Sequence, residues 1–184
     1  HIGDFHYSLR ANLATLTNEV TYVDPSITRI NGVNFHTSTI TYFEEGFPVY
    51  YFRGYKFKGV DPETGNPMFH DLNDGDLDYI GDAIPDFTYG ITLTAGWKGL
   101  DFTLFGTGSQ GNDIFNCINR PDYAASNKLK EVFYDNRWTA DNKSGTVPRA
   151  GAQNMDKYQT SDALVYDGSF FKIKQIQLGY TLPK

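Results

Sequence analysis

The chain has 184 residues, roughly one domain by length, and carries 16 Lys and Arg against 22 Asp and Glu, a net charge of −6. That balance argues against a nucleic-acid binder, which needs a basic face to neutralise phosphates, and a single cysteine, Cys117, excludes a disulfide framework or a cysteine-based zinc site. No apolar run approaches the ~18 residues of a transmembrane helix, and no charged segment followed by an apolar stretch opens the chain as in a signal peptide.

Finer composition points to β-structure. There are 14 Phe, 13 Tyr and 18 Gly, and Thr and Asn abound where a helical protein would carry Leu, Ala, Glu and Lys. From Phe5 to Thr15 the odd positions are Phe5, Tyr7, Leu9, Ala11, Leu13 and Thr15, and the even ones His6, Ser8, Arg10, Asn12 and Ala14. A period of two residues predicts a strand over about 5–17 with one apolar and one polar face. Its length is about twice the usual 5–6 residues and matches the ~9–11 residues of a tilted strand crossing a bilayer.

The same pattern recurs over about 86–97, with Phe87, Tyr89, Ile91, Leu93, Ala95 and Trp97 on one face and Thr88, Gly90, Thr92, Thr94 and Gly96 on the other. Lys98-Gly99-Leu100-Asp101 then supplies a tight turn into a return strand over about 101–110, where Phe105 breaks into the polar face. A fourth strand is expected over about 169–182. Its apolar residues are odd-numbered at Phe171 and Ile173 but even-numbered from Ile176 to Leu182, and a β-bulge near Lys174-Gln175 would restore a single apolar face.

Two long polar stretches, about 18–85 and 111–168, lie between these strands, longer than structureless loops of a compact domain. Within the first, Phe47 to Lys58 is aromatic and strand-like, and Val60-Asp61-Pro62-Glu63-Thr64-Gly65-Asn66-Pro67 supplies turn chemistry, so a small hairpin is expected. In the second, Ala124–Phe133 reads as a short helix capped by Ser126. Four long antiparallel strands, a short turn on one side and long loops on the other make an all-β layout like that of an outer-membrane barrel. A soluble or surface-exposed β-rich glycan-binding module is the alternative, although a soluble sandwich would show more and shorter strands.

Several stretches resemble the SusC/RagA-like family of TonB-dependent outer-membrane transporters. Gly81-Asp82-Ala83-Ile84-Pro85-Asp86-Phe87-Thr88-Tyr89-Gly90 is close to that family's G-D-x-x-P-x-F-x-Y-G. It runs into Trp97-Lys98-Gly99-Leu100-Asp101-Phe102, and then Gly108-Ser109-Gln110-Gly111-Asn112-Asp113-Ile114-Phe115-Asn116, like G-x-x-G-N-D-I-Y-N. Arg137-Trp138-Thr139 with Pro148-Arg149, and finally Asp167-Gly168-Ser169-Phe170 through Leu178-Gly179-Tyr180-Thr181-Leu182-Pro183, complete an ordered series. Trp97 stands where the family has Tyr, Leu100 where it has Phe and Lys172 where it has Arg; none of these positions has a known chemical role.

The resemblance implies a segment of the C-terminal part of a barrel of about 22 strands with a plugged lumen, non-enzymatic and resident in the bacterial outer membrane. The plug and the TonB-contacting segment are expected to lie outside this chain, because four strands cannot close a barrel in lipid. It implies import of oligosaccharides or peptides, driven by TonB, with a SusD-like surface lipoprotein as partner. The stretches 18–85 and 111–168 become extracellular loops, the turn at 98–101 is periplasmic, and Trp97 and Tyr180 fall in the periplasmic aromatic girdle.

Candidate sites are few. The polar residues His6, Arg10, Asn12, Thr92 and Thr94 are expected to face the lumen. Among loop aromatics, Tyr51, Tyr55, Tyr134, Trp138 and Tyr166 are the candidates for stacking on a sugar or anchoring a partner, with a role in ordering the loops as the competing explanation. The run Asp71 to Asp78 is similar to a calcium loop, but Gly75 falls one residue early for an EF-hand, which leaves Asp74, Asp76 and Asp78 as weak Ca²⁺ ligands and otherwise no cofactor. Gly106-Thr107-Gly108-Ser109-Gln110-Gly111 matches a nucleotide-binding spacing but is followed by no helical period, so it reads as a strand end. The four His show no metal spacing, no Ser sits in a G-x-S-x-G elbow, and no two acids stand out as a hydrolytic pair.

Overall fold

The computed structural model describes residues 4–35, 38–70, 77–117 and 131–182. In chain order its strands are β1 (Phe5–Thr15), β2 (Ile30–Asn31), β3 (Asn34–Phe35), β4 (Ser38–Thr39), β5 (Thr41–Phe43), β6 (Tyr51–Gly54), β7 (Phe57–Val60), β8 (Pro67–Phe69), β9 (Asp78–Gly81), β10 (Phe87–Trp97), β11 (Leu100–Gln110), β12 (Asp113–Phe115), β13 (Val165–Asp167) and β14 (Phe170–Tyr180). Two short helices, α1 (Glu131–Asp135) and α2 (Met155–Gln159), and a 3-10 turn at Asp162–Leu164 complete the list. The chain divides into two units, one of His1–Thr17, Ile84–Asp113 and Asp167–Lys184, the other of Asn18–Ala83 and Ile114–Tyr166.

The first unit is a single antiparallel sheet in the order β1-β10-β11-β14. Each strand has 11 residues, an extended length of ~36 Å at ~3.3 Å per residue, which a tilt of ~45° shortens to about the 25 Å of an apolar membrane band. The register aligns the apolar positions. Leu9 lies opposite Leu93, Leu93 opposite Leu104 and Leu104 opposite Ile176, so one leucine-rich row crosses the sheet at mid-strand. The turn between β10 and β11 is tighter than the four residues expected. Trp97 pairs directly with Leu100, and Lys98 (φ 46°) and Gly99 (φ 85°) both take positive φ, as a two-residue type I′ hairpin requires. Lys98 occupies the unfavourable position with its ammonium 5.4 Å from the Trp97 ring centroid.

The bulge expected near Lys174-Gln175 is present. Phe105 pairs with Gln175 but the next residue, Gly106, pairs with Ile173, so one residue of β14 is left over. Phe171 and Ile173 thereby join Ile176, Leu178 and Tyr180 on one face. On that face Gly106 and Gly108 leave two gaps in β11. The rings of Phe171 and Tyr89 lie over them, so close that a Cβ on either glycine would collide with the ring. The two rings stack at 5.9 Å with an interplanar angle of 5°.

The second unit is built from the two long polar stretches together. Its central sheet runs β2-β5-β6-β9, flanked by the β3-β4 and β7-β8 hairpins. The run Phe47 to Lys58 is divided between two sheets: β6 pairs with β5 and β9, while β7 turns back on β8. The expected turn at 60–67 closes that hairpin, where the Asp61 carboxylate accepts from the Thr64 hydroxyl (2.7 Å) and the Glu63 amide (2.9 Å). Of the helix expected over Ala124–Phe133, residues 131–133 are described and open α1, which runs on to Asp135; residues 118–130, with Ser126, lie outside the described residues.

Two apolar clusters hold this unit. One contains Ile40, Phe52 and Ile80; the other contains Phe133, Tyr158 and Leu164; Phe115 packs against both. Backbone hydrogen bonds tie the two stretches across a hundred residues of sequence: Tyr55 N–H donates to the Thr160 carbonyl (3.1 Å) and Asp162 N–H to the Tyr55 carbonyl (3.0 Å). The Asp162 carboxylate accepts from Phe57 N–H (2.8 Å), and Ser161, fully buried, donates to the Tyr158 carbonyl (2.8 Å) and accepts from Ala163 N–H.

Candidate functional site

The four-stranded sheet is apolar on one face and polar on the other, and neither face is a conventional core. Leu9, Leu13, Ile176 and Leu178 are 64–74% exposed, and Tyr7, Trp97, Phe171, Ile173 and Tyr180 each keep at least half of their surface exposed. A soluble sandwich would bury this face against a second sheet. An exposed apolar face that runs across four strands is what a lipid-facing wall presents. Aromatic residues mark both ends of the band: Phe5, Trp97 and Tyr180 near the β10-β11 turn, Phe87, Tyr89 and Phe171 near the other end.

The opposite face gathers the residues picked out as lumen-facing. His6, Arg10 and Asn12 on β1 alternate with the apolar row, Arg10 lies opposite Thr92, and Ser8 lies opposite Thr94. The face continues through Asp101, Thr103 and Thr107 on β11 and Lys172, Gln175 and Gln177 on β14. Gln175 donates to the Gln177 carboxamide oxygen at 2.8 Å. The exception is again Phe105, between Thr92 and Gln175. His6 lies over Gly96, where a Cβ would collide with its imidazole.

The five loop aromatics separate by exposure. Tyr51 is 1% exposed, stacked on Phe47 (4.7 Å) and Tyr79 (5.8 Å), with no face left for a ligand. Its hydroxyl donates to the Glu44 carboxylate (2.5 Å), which also accepts from Arg29 Nε (2.7 Å). The Arg29 hydrogen bond holds the Glu44 carboxyl below the usual range, and the same bond pushes Arg29 further towards its charged form. Burial, then the bond to Glu44, pushes the Tyr51 phenol up to about 12. Trp138 donates to the Pro62 carbonyl (3.0 Å) and packs over Gly65, pinning one polar stretch to the turn of the other. Tyr134 and Tyr166 are 62% and 48% exposed, and the Arg137 guanidinium lies 5.3 Å from the Tyr134 ring. Of the weak calcium ligands, Asp78 begins β9, while Asp74 and Asp76 lie outside the described residues. Among the described residues no three His, Cys, Asp or Glu are grouped to hold a metal.

One cavity in the loop unit was signalled in the sequence only by Tyr55. It has a volume of about 260 Å³ and is lined by β6, by the 38–42 segment, by α2 and by Leu77 and Thr160. Arg53, Tyr55, Asp156 and Lys157 supply its chemistry. Lys157 donates to the Tyr55 hydroxyl (3.2 Å), its ammonium 4.7 Å from the same ring's centroid. Arg53 and Lys157 belong to runs with no recognisable spacing, and a pairing across a hundred residues is invisible to any local pattern.

Comparison with known proteins agrees with this arrangement. No protein-family profile matches the chain. Two TonB-dependent receptors of Formosa agariphila are 33% and 32% identical to it over 162 residues, covering 76% of this chain. The chain spans 16% of the length of these curated relatives. Among solved structures, the RagAB peptide transporter superposes with a TM-score of 0.77 over 99% of this chain and 21% of its own, at 24% identity. The RagAB peptide importer in its closed-closed and open-open states gives 0.74 and 0.73 at 22% and 23% identity, over the whole of this chain. These are receptors and transporters, not enzymes, in agreement with the non-enzymatic reading. By sequence and by fold the chain belongs with the TonB-dependent receptors of the outer membrane, as a β-barrel segment of the kind its SusC/RagA-like motifs announce.

Proposed function

We propose that the receptor to which this segment belongs imports oligosaccharides or peptides across the outer membrane, energised through TonB and assisted by a SusD-like surface lipoprotein. One observation carries the reading: a sheet of four 11-residue strands whose register shifts at a single bulge in β14, so that one face stays apolar and exposed and the other polar. Such a wall separates lipid from a polar interior. Kinship with TonB-dependent receptors, and a fold shared with a peptide transporter, support import as its use. His6, Arg10, Asn12, Thr92 and Thr94 then line the interior.

The test is uptake by cells producing the whole receptor. Fluorescent oligopeptides and oligosaccharides are offered separately, with and without TonB. Uptake of one class that vanishes without TonB, together with co-purification of a surface lipoprotein, is the expected result. Equal uptake of both classes with and without TonB overturns the reading.

A further inference from the structure

The apolar face of the four-stranded sheet has a dent near the β10-β11 turn. Phe5, Trp97, Leu100, Phe102 and Leu178 stand around Ala95, the small residue of the row Tyr7-Ala95-Phe102-Leu178, and leave a groove of about 280 Å³ to which all four strands contribute. Its side chains are apolar throughout. Gly96 adds none, and the Asp101 carboxylate is turned to the opposite face of the sheet, over Gly179. The groove is smaller than the ~300–1,000 Å³ of pockets that enclose drug-sized ligands, so it takes a length of one acyl chain. One cation stands at its rim. The Lys98 ammonium lies 5.4 Å from the centroid of the Trp97 ring that walls the groove, and no carboxylate among the described residues pairs with it. The turn beneath is anchored, because Thr181 N–H donates to the Gly99 carbonyl (2.7 Å). Lys98 holds a φ of 46°, a conformation that Asn, Asp or Gly adopts more readily at this turn position, so the turn by itself gives no reason for a lysine. An ammonium at the end of an apolar band, beside a groove that continues the lipid-facing wall, complements an anionic lipid.

We propose that this groove is a binding site for an anionic glycerophospholipid of the surrounding membrane, with one acyl chain lying against Ala95 between Trp97 and Leu178 and the phosphate on the Lys98 ammonium. Two-residue turns are those of the periplasmic side of such barrels, where the facing leaflet is built of glycerophospholipids. A chain seated there touches all four strands at one end of the sheet, so the lipid is a structural ligand of the wall and not a solute. The proposal stands on the lipid-facing assignment of the apolar face and is independent of what the receptor imports.

The experiment uses Trp97 as the reporter. The whole receptor is placed in phosphatidylcholine nanodiscs with rising fractions of a lipid brominated in its acyl chains, either phosphatidylglycerol or phosphatidylcholine. Emission from Trp97 is taken as the difference between the receptor and its Trp97→Phe variant, and each further variant is measured against its own Trp97→Phe counterpart. Half-quenching by the brominated phosphatidylglycerol is expected at about fivefold lower mole fraction than by the brominated phosphatidylcholine, the effect of one lysine on an anionic lipid. Lys98→Asn should abolish that preference while giving the turn a residue better suited to its φ, so the loss cannot be laid to a damaged turn. Ala95→Leu, which fills the floor of the groove and keeps the face apolar, should reduce it. Equal quenching by the two lipids in the unmodified receptor overturns the proposal, whatever the stability of the variants. So does a preference that survives Lys98→Asn or is untouched by Ala95→Leu. Absence of quenching by either lipid would overturn the lipid-facing assignment along with it.

Discussion

The two units solve the same problem in opposite senses. In the loop unit apolar side chains turn inward: among the described residues all ten buried hydrophobic ones, from Val23 to Leu164, belong to it. In the four-stranded sheet they turn outward, and Leu178 is 74% exposed where Leu164 is fully buried. A rule that apolar residues are buried holds for both once the solvent is specified, water for one unit and hydrocarbon for the other. The contrast also separates the two uses of aromatic rings. In the loop unit Tyr51, Phe47 and Tyr79 stack on one another as a core, whereas in the sheet Trp97 and Tyr180 stand exposed at the end of the apolar band.

Substitutions can break this contrast at chosen points. The largest effect is expected for Leu164→Ala, a truncation at a fully buried site that costs about 2–5 kcal/mol. In the whole receptor it should open residues 18–83 and 114–166 to limited proteolysis, and an unchanged cleavage pattern would show that Leu164 does not hold this core. Next comes a pair of neighbours on opposite faces. Ile176→Arg places a charge at the middle of the apolar row, worth about 2–4 kcal/mol at a bilayer midplane, whereas Gln177→Arg, one residue on, should stay within about 0.5 kcal/mol as an ordinary polar-surface change. Yield of heat-modifiable barrel in the outer membrane should fall for the first and hold for the second; similar yields would refute the assignment of faces. A smaller loss, about 1 kcal/mol, follows Trp138→Phe, which keeps most of the ring but removes the hydrogen bond to Pro62; it is read from the denaturant concentration at which residues 18–83 and 114–166 open to proteolysis.

The pH dependence is subtler still. Glu44 is held below its ordinary value of 4.5 by Arg29, so its contribution is fully present above that value and fades as pH falls through the depressed one. Tyr51 is raised from 10 to about 12, so its contribution is present below pH 10 and is lost as pH rises through about 12. Arg29→Gln should flatten the acid limb of a stability-against-pH profile and leave an alkaline limb; an unaltered acid limb would mean that the pair contributes nothing.

The sheet was legible because period two leaves its trace in every window of β1 and β10, and because the slip between Ile173 and Ile176 has only one repair that keeps a single apolar face. The candidate lumen residues follow from the same alternation. Little of the loop unit could be read this way. Its strands are 2–4 residues long, too short for periodicity to declare itself, and Phe47 to Lys58 looks like one strand because the break at Tyr55-Lys56 is made by partners far away in sequence. Tyr51 and Trp138 were visible as aromatics, but burial, which decides whether a ring binds or packs, depends on contacts such as Trp138 with Pro62 that no local pattern encodes. The acid–base cavity of Arg53 and Lys157 was hidden for the same reason.

The bulge in β14 makes one residue of the strand dispensable. Were Lys174 or Gln175 deleted, Ile173 would still precede a single inward residue and then Ile176, and the alternation would run on without a break. Remove any residue from the middle of β1 or β10 instead, and half of that strand would present its polar side to lipid. The sheet thus has one position where a change of chain length leaves every face intact, and an amino-acid deletion there should be tolerated where its neighbours' would not.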